Sequence, residues 1–144
     1  MKGRQTKVKG YLEKVRERDQ TVNPLFRYLG VIVEQISTEN TILRLPLKHD
    51  FIQGAGVVAG GILAALADEA MAHVVLANLD EGQSTATIEM NIRYLRPVKE
   101  GEISAAARLV KTGRQIITVA AEVRDEKNSL LADAGASFMV IMSR

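Results

Sequence analysis

Residues 57–78 constrain this chain most. The run Val57-Val58-Ala59-Gly60-Gly61-Ile62-Leu63-Ala64-Ala65-Leu66-Ala67 has no period-two alternation and is too long for one strand. It predicts a helix that is apolar nearly all round, and such a helix must be buried on most sides. Its many Ala and Gly residues let a sheet approach closely. The rest of the chain therefore has to wrap it.

The wrapping is visible on both sides. Val31–Ser37 and Thr41–Leu47 predict two strands around a Thr38-Glu39-Asn40 turn, with Pro46 near a strand end or edge. Beyond the helix, Ala86, Ile88, Met90, Ile92 and Tyr94 share one face, and Thr85, Thr87, Glu89, Asn91 and Arg93 the other. Ile103–Lys111, a Thr112-Gly113 turn, the alternation Ile117, Val119, Ala121, Val123, a turn at 125–128 and Leu130–Ile141 follow. Short turns between consecutive strands mean antiparallel pairing. Upstream, Val8, Tyr11, Leu12 and Val15 recur at helical spacing, which predicts an amphipathic helix over residues 5–19. Asn23 as a cap, Pro24 in the first turn and Gly30 as a stop predict a short helix over Pro24–Leu29.

The fold class expected is α+β: a curved antiparallel sheet wrapped around one long central helix, preceded by an N-terminal helix. One sheet covers that helix on one side only. Its other side and the open strand edges call for a second chain, so a homodimer is expected.

At 144 residues the chain makes one domain rather than two. It divides into a basic amphipathic helix over 1–22 and a single domain over 23–144. Cysteine is absent. That excludes disulfides, a thiolate nucleophile and a Cys-ligated metal, and it suits a reducing compartment. The first twenty residues hold seven basic and three acidic side chains and are too charged for a secretory leader. Such an arm could touch nucleic acid, a membrane or a phosphate-bearing ligand, or be a solvated helix face, which is the reading preferred here. The longest apolar stretch, residues 51–79, carries Asp68 and Glu69 near its centre, so no membrane span is expected. A cytoplasmic location is expected.

Two features carry chemistry. Gly56, Gly60 and Gly61 stand before or at the start of the buried helix. A helix N-terminus offers unpaired N–H groups and positive potential, which can hold the oxyanion of an acyl-transfer intermediate. The same glycines could serve only tight helix–sheet packing. Asp68 lies two turns further on. A carboxylate in an apolar helix is costly, so it is a functional base, half of a structural ion pair, or a surface charge. Glu69 faces elsewhere. His49 and His73 have no carboxylate at metal-ligand spacing, so no metal is expected, and His73 predicts an interface or core histidine.

Gly56-x-x-Ala59-Gly60-Gly61 followed by Leu66-Ala67-Asp68-x-Ala70 resembles the signature of hotdog-fold thioesterases of the phenylacetate-degradation (PaaI-like) type. The segment Thr87–Val98, then Gly101 and Lys111–Arg114, supports the likeness, which runs from about residue 25 onward. The resemblance implies a hotdog fold and hydrolysis of acyl-CoA thioesters without a cofactor. It implies Asp68 as catalytic base or nucleophile, the Gly60 N–H polarising the thioester carbonyl, and Thr87 orienting water. Gln53 falls where many relatives have Asn. Ala59 departs from the family, which usually has His before the two glycines. Gly56, Ala59, Gly61 and Tyr94 fall along the substrate. Lys111, Gly113 and Arg114, with Arg93 or Arg96, would hold the CoA phosphates.

The resemblance also implies a homodimer pairing into a tetramer, with Asp68 of one chain facing the Gln53–Gly60 loop of the other. Two other readings stand beside it. One is a non-catalytic acyl-CoA or acyl-carrier binding protein of the same fold. The other is a regulatory dimer whose basic helix binds nucleic acid, a partner not expected here.

Overall fold

The computed structural model describes the backbone of residues 2–142 and the side chains of residues 8–142. Its elements are α1 (Lys2–Lys14), α2 (Pro24–Leu29), β1 (Ile32–Ile36), β2 (Asn40–Pro46), α3 (Gly60–Ala77), β3 (Gln83–Tyr94), β4 (Glu102–Thr112), β5 (Ile116–Asp125) and β6 (Leu130–Met142). A one-turn 3-10 helix at His49–Phe51 precedes α3. The six strands form one antiparallel sheet in the order β1-β2-β4-β5-β6-β3, and α3 touches every strand of it. This is the expected α+β architecture, a sheet wrapped around a central helix.

Local sequence explains most boundaries. The Asn23 side chain accepts the Phe26 N–H at 3.1 Å, Pro24 opens α2, and Gly30 closes it at φ +88°. Helix α1 stops at Lys14, earlier than its apolar spacing predicts. Beyond it, Arg16 turns back to donate to the carbonyls of Leu12 and Ile36, so residues 15–19 are turn.

Helix α3 starts at Gly60, not at Val57. Val57 is a bend, and Val58 and Ala59 are tied to neighbouring chain: Val58 donates to Val98 O at 2.8 Å, Ala59 donates to Phe51 O at 2.9 Å, and Ile52 bridges Val58. Within α3 the buried residues are Leu63, Leu66, Ala67, Ala70, Met71, His73, Val74 and Val75. Burying each of the larger ones contributes about 1.5–3 kcal/mol. The opposite side, with Gly61, Ala64, Ala65, Asp68 and Ala72, is half-buried or exposed. By length and composition α3 could cross a membrane. Here it is the helix the sheet wraps.

Strand β3 differs from the simple alternation. A bulge between Thr87 and Glu89 leaves Ile88 without a partner. Past the bulge, Met90, Ile92 and Tyr94 pair with the inward residues Ala136, Ala134 and Ala132. Before it, Thr85 and Thr87 pair with Val140 and Phe138, which also face α3. Thr87 therefore lies on the same side of the sheet as Met90, and Ala86 lies opposite.

Candidate active site

The loop that leads into α3 is shaped by its backbone. Gly56 donates to Gln53 O and Gln53 donates to Val57 O, both at 2.9 Å. Gly56 sits at φ +84°, a left-handed conformation that favours glycine. The Gln53 side-chain oxygen folds back onto the Ala55 N–H. Ala59 stands at the cap position of α3, and its methyl caps nothing. The first N–H groups of α3 thus have no side-chain acceptor, leaving a positive helix end.

A cavity of about 370 Å³ opens beside this end, lined by Gln53, Val57, Gly60, Leu63, Tyr94 and Arg96 among others. Tyr94 reaches across from the end of β3 and donates to the Gly60 carbonyl at 2.9 Å. Gly61 is exposed at the first turn. Asp68 and Thr87 do not line this cavity. Within one chain, then, Gln53, Gly60 and Tyr94 come together, while Asp68 stands two turns down α3 and Thr87 on an exposed stretch of β3.

Asp68 is half-buried, and its Oδ1 is buried without a hydrogen-bond partner. Burial raises its pKa above the ordinary carboxylate value. Glu69, the next residue, is pushed up to about 7, first by burial and then by the charge of Asp68. His73 is buried, with its Nε2 2.8 Å from the Tyr11 hydroxyl and its Nδ1 2.6 Å from the Glu69 carbonyl. Burial lowers its pKa, which favours the neutral ring. It is a core histidine. Among the described residues, no three His, Asp or Glu side chains are grouped to hold a metal ion.

Lys111, Gly113 and Arg114 share a second cavity, of about 440 Å³, at the β4–β5 hairpin with Gln115, Ile116 and Thr118. Gly113 has a structural reason of its own: a Cβ there would meet Ile116 O at 2.7 Å. Of the two further arginines considered for phosphate, Arg93 is committed elsewhere. It makes two hydrogen bonds, at 2.9 and 2.7 Å, to Asp133 on the face away from α3. Arg96 lines the Gln53 cavity. Sequence reasoning missed the Tyr11–His73 contact, which spans 62 positions and has no local signal. It also gave Glu69 no role, although its carboxyl is largely buried beside Asp68.

Comparison with known proteins fits this geometry. The thioesterase superfamily model matches residues 55–132. A thioesterase of Haemophilus influenzae superposes with a TM-score of 0.77 at 27% identity, covering 82% of each chain. A mutant of the phenylacetic acid degradation protein PaaI from Thermus thermophilus superposes with a TM-score of 0.75 at 24% identity over 81% of this chain and 98% of that one, a likeness of fold. A Halobacterium salinarum relative that carries an esterase name is 32% identical over 127 residues, 81% of this chain and 83% of its own. The chain belongs to the thioesterase superfamily, and its fold is the hotdog fold.

Proposed function

We propose that the protein hydrolyses acyl-CoA thioesters to the free acid and CoA. Membership of the superfamily supplies the reaction class, hydrolysis of an acyl thioester. The observation that carries the finer reading is Asp68: a carboxylate with a buried, unpartnered oxygen on the helix whose glycine start is uncapped. Burying such a group is costly, and a costly carboxylate is a candidate for function. Asp68 activates a water or attacks the carbonyl itself. The Gly60 N–H then holds the developing oxyanion. Thr87 orients the water, and the amide of Gln53 completes the catalytic group. A thiolate is a good leaving group, so no metal or redox cofactor is needed.

The separation of Asp68 from the Gln53–Gly60 cavity within one chain supports a site shared between two chains. So do the uncovered side of α3 and the exposure of Ile88 on the open edge of β3. In this reading two copies join, Asp68 of one facing the glycine loop of the other, and the dimers pair into a tetramer.

The test is a panel of short, long and aromatic acyl-CoA substrates with free-thiol detection. Thiol release that is lost in Asp68→Ala supports hydrolysis. Stoichiometric binding with no thiol release across the panel supports the non-catalytic binder, which Ala59 favours because its methyl cannot replace the usual imidazole.

A further inference from the structure

Hydrolysis by Asp68 leaves α1 and His73 without a task, yet they are joined to the catalytic helix by a continuous polar chain. Gln20 accepts the Asn23 N–H at 2.7 Å and donates to the Asn23 carbonyl at 3.0 Å. Asn23 donates from Nδ2 to the Tyr11 hydroxyl at 2.9 Å. The hydroxyl is 2.8 Å from His73 Nε2, and His73 Nδ1 is 2.6 Å from the Glu69 carbonyl oxygen. A carbonyl only accepts, so Nδ1 carries the ring proton and Nε2 accepts from Tyr11. Every donor then points the same way, from Asn23 through Tyr11 and His73 to Glu69.

The surroundings are apolar. The Phe26 ring, itself buried, lies 5.0 Å from the His73 ring. Apolar residues at positions 11 and 73 would pack α1 at least as well, because buried polar groups stabilise only when all are paired. A fully paired chain adds direction, since only one rotation of α1 against α3 satisfies it. Its last bond falls on Glu69, which is covalently joined to Asp68. The titratable groups around the Glu69 carboxylate, among the described residues, are Asp68 and His73 on α3 and Tyr11 on α1.

We propose that Tyr11 and His73 are positioning residues for Asp68: α1 is a brace that holds the Asp68–Glu69 turn of α3 in one rotational setting and keeps water from its inner side. This rests on the reading of Asp68 as the group that acts on the thioester.

The test compares Tyr11→Phe with Leu12→Ala in the full chain. Tyr11→Phe removes one oxygen from the polar chain, whereas Leu12→Ala weakens α1 packing without touching it. Displacing a reacting group by a fraction of an ångström lowers kcat, so Tyr11→Phe should cost about tenfold in kcat with KM within about twofold. Leu12→Ala should leave kcat within about twofold at an equal or larger loss of melting temperature. Asn23→Ser still caps α2 but removes the donor to Tyr11, and it should lower kcat by about threefold even if Tyr11→Phe fails to fold. Unchanged kcat in the folded Tyr11→Phe or Asn23→Ser variants, or an equal fall in Leu12→Ala, overturns the brace. Asp68→Ala run alongside separates the two ideas. If it is inactive while Tyr11→Phe is normal, the brace alone fails. If it retains full activity, both fail.

Discussion

Tyr94 donates its phenolic hydrogen to the Gly60 carbonyl at 2.9 Å, and its ring fills the space that any side chain at Gly60 would need. A Cβ on Gly60 would stand 2.9 Å from Tyr94 Cζ and 3.2 Å from its hydroxyl. One of the two glycines at the start of α3 is therefore demanded by a strand end 34 positions away. The ring is about half exposed and can swing aside.

Gly60→Ala should accordingly fold but melt a few degrees lower. Tyr94→Ala in the same chain should remove the conflict, letting the better helix propensity of alanine, up to about 1 kcal/mol, show through. Thermal denaturation of the two single variants and the double variant measures the coupling, expected at about 0.5 kcal/mol or more. Strict additivity would mean that Tyr94 does not rest on Gly60.

In the proposed role, Asp68 would act as base or nucleophile only when ionised. Burial raises its pKa, so kcat/KM should fall on the acid side along a limb shifted upward from that of an ordinary aspartate. Asp68→Asn should lower kcat by about a thousandfold. Because Oδ1 has no partner to lose, the same variant should melt at or above the wild-type temperature. A clear loss of stability would identify Asp68 as half of a structural pair instead.

Glu69 gives a pH signature of stability rather than of rate. Its pKa is raised from 4.5 to about 7 in the folded chain. Between those values the folded state holds a proton that the unfolded state releases. Stability from this group therefore falls as pH rises from about 4.5 to about 7, and levels off above. Urea unfolding of Glu69→Gln should show that slope reduced and the variant relatively more stable at alkaline pH. A slope identical to that of the wild type would refute the assignment.

The hairpin cations make a prediction about CoA. Phosphate contacts bind ground and transition states alike. Arg114→Glu should therefore raise KM for acyl-CoA by about fivefold while kcat stays within about twofold. A short thioester without the nucleotide should be turned over normally. Equal losses on both substrates would remove Arg114 from CoA recognition.

How much of this was legible in the sequence depends on the range of the interaction concerned. The central helix announces itself through eleven residues without alternation, and Asp68 stands out because it interrupts them. Apolar spacing places the helix start three residues early, because Val57 and Val58 are apolar enough for either state and only the pairing of Val58 with Ile52 and Val98 takes this stretch out of the helix. The phase of β3 was misassigned at Thr87 because a bulge is dictated by the partner strand, not by the alternation that precedes it. The Tyr11–His73 bond could not be foreseen, since neither residue carries a local motif. The commitment of Arg93 to Asp133 depends likewise on cross-strand register.

The strand order also sets a schedule for biosynthesis. β3 lies at the end of the sheet and pairs within the chain only with β6, the last strand to be made. From Gln83 to Met142 the ribosome needs roughly three to twelve seconds at ordinary elongation rates. Throughout that interval β3 has no completed strand beside it, whereas α3 gains β4 and then β5, the strands it packs against most, part-way through. The nascent chain thus leaves the edge of β3 unpaired longest, and a chaperone that recognises extended segments has the whole of that interval in which to bind.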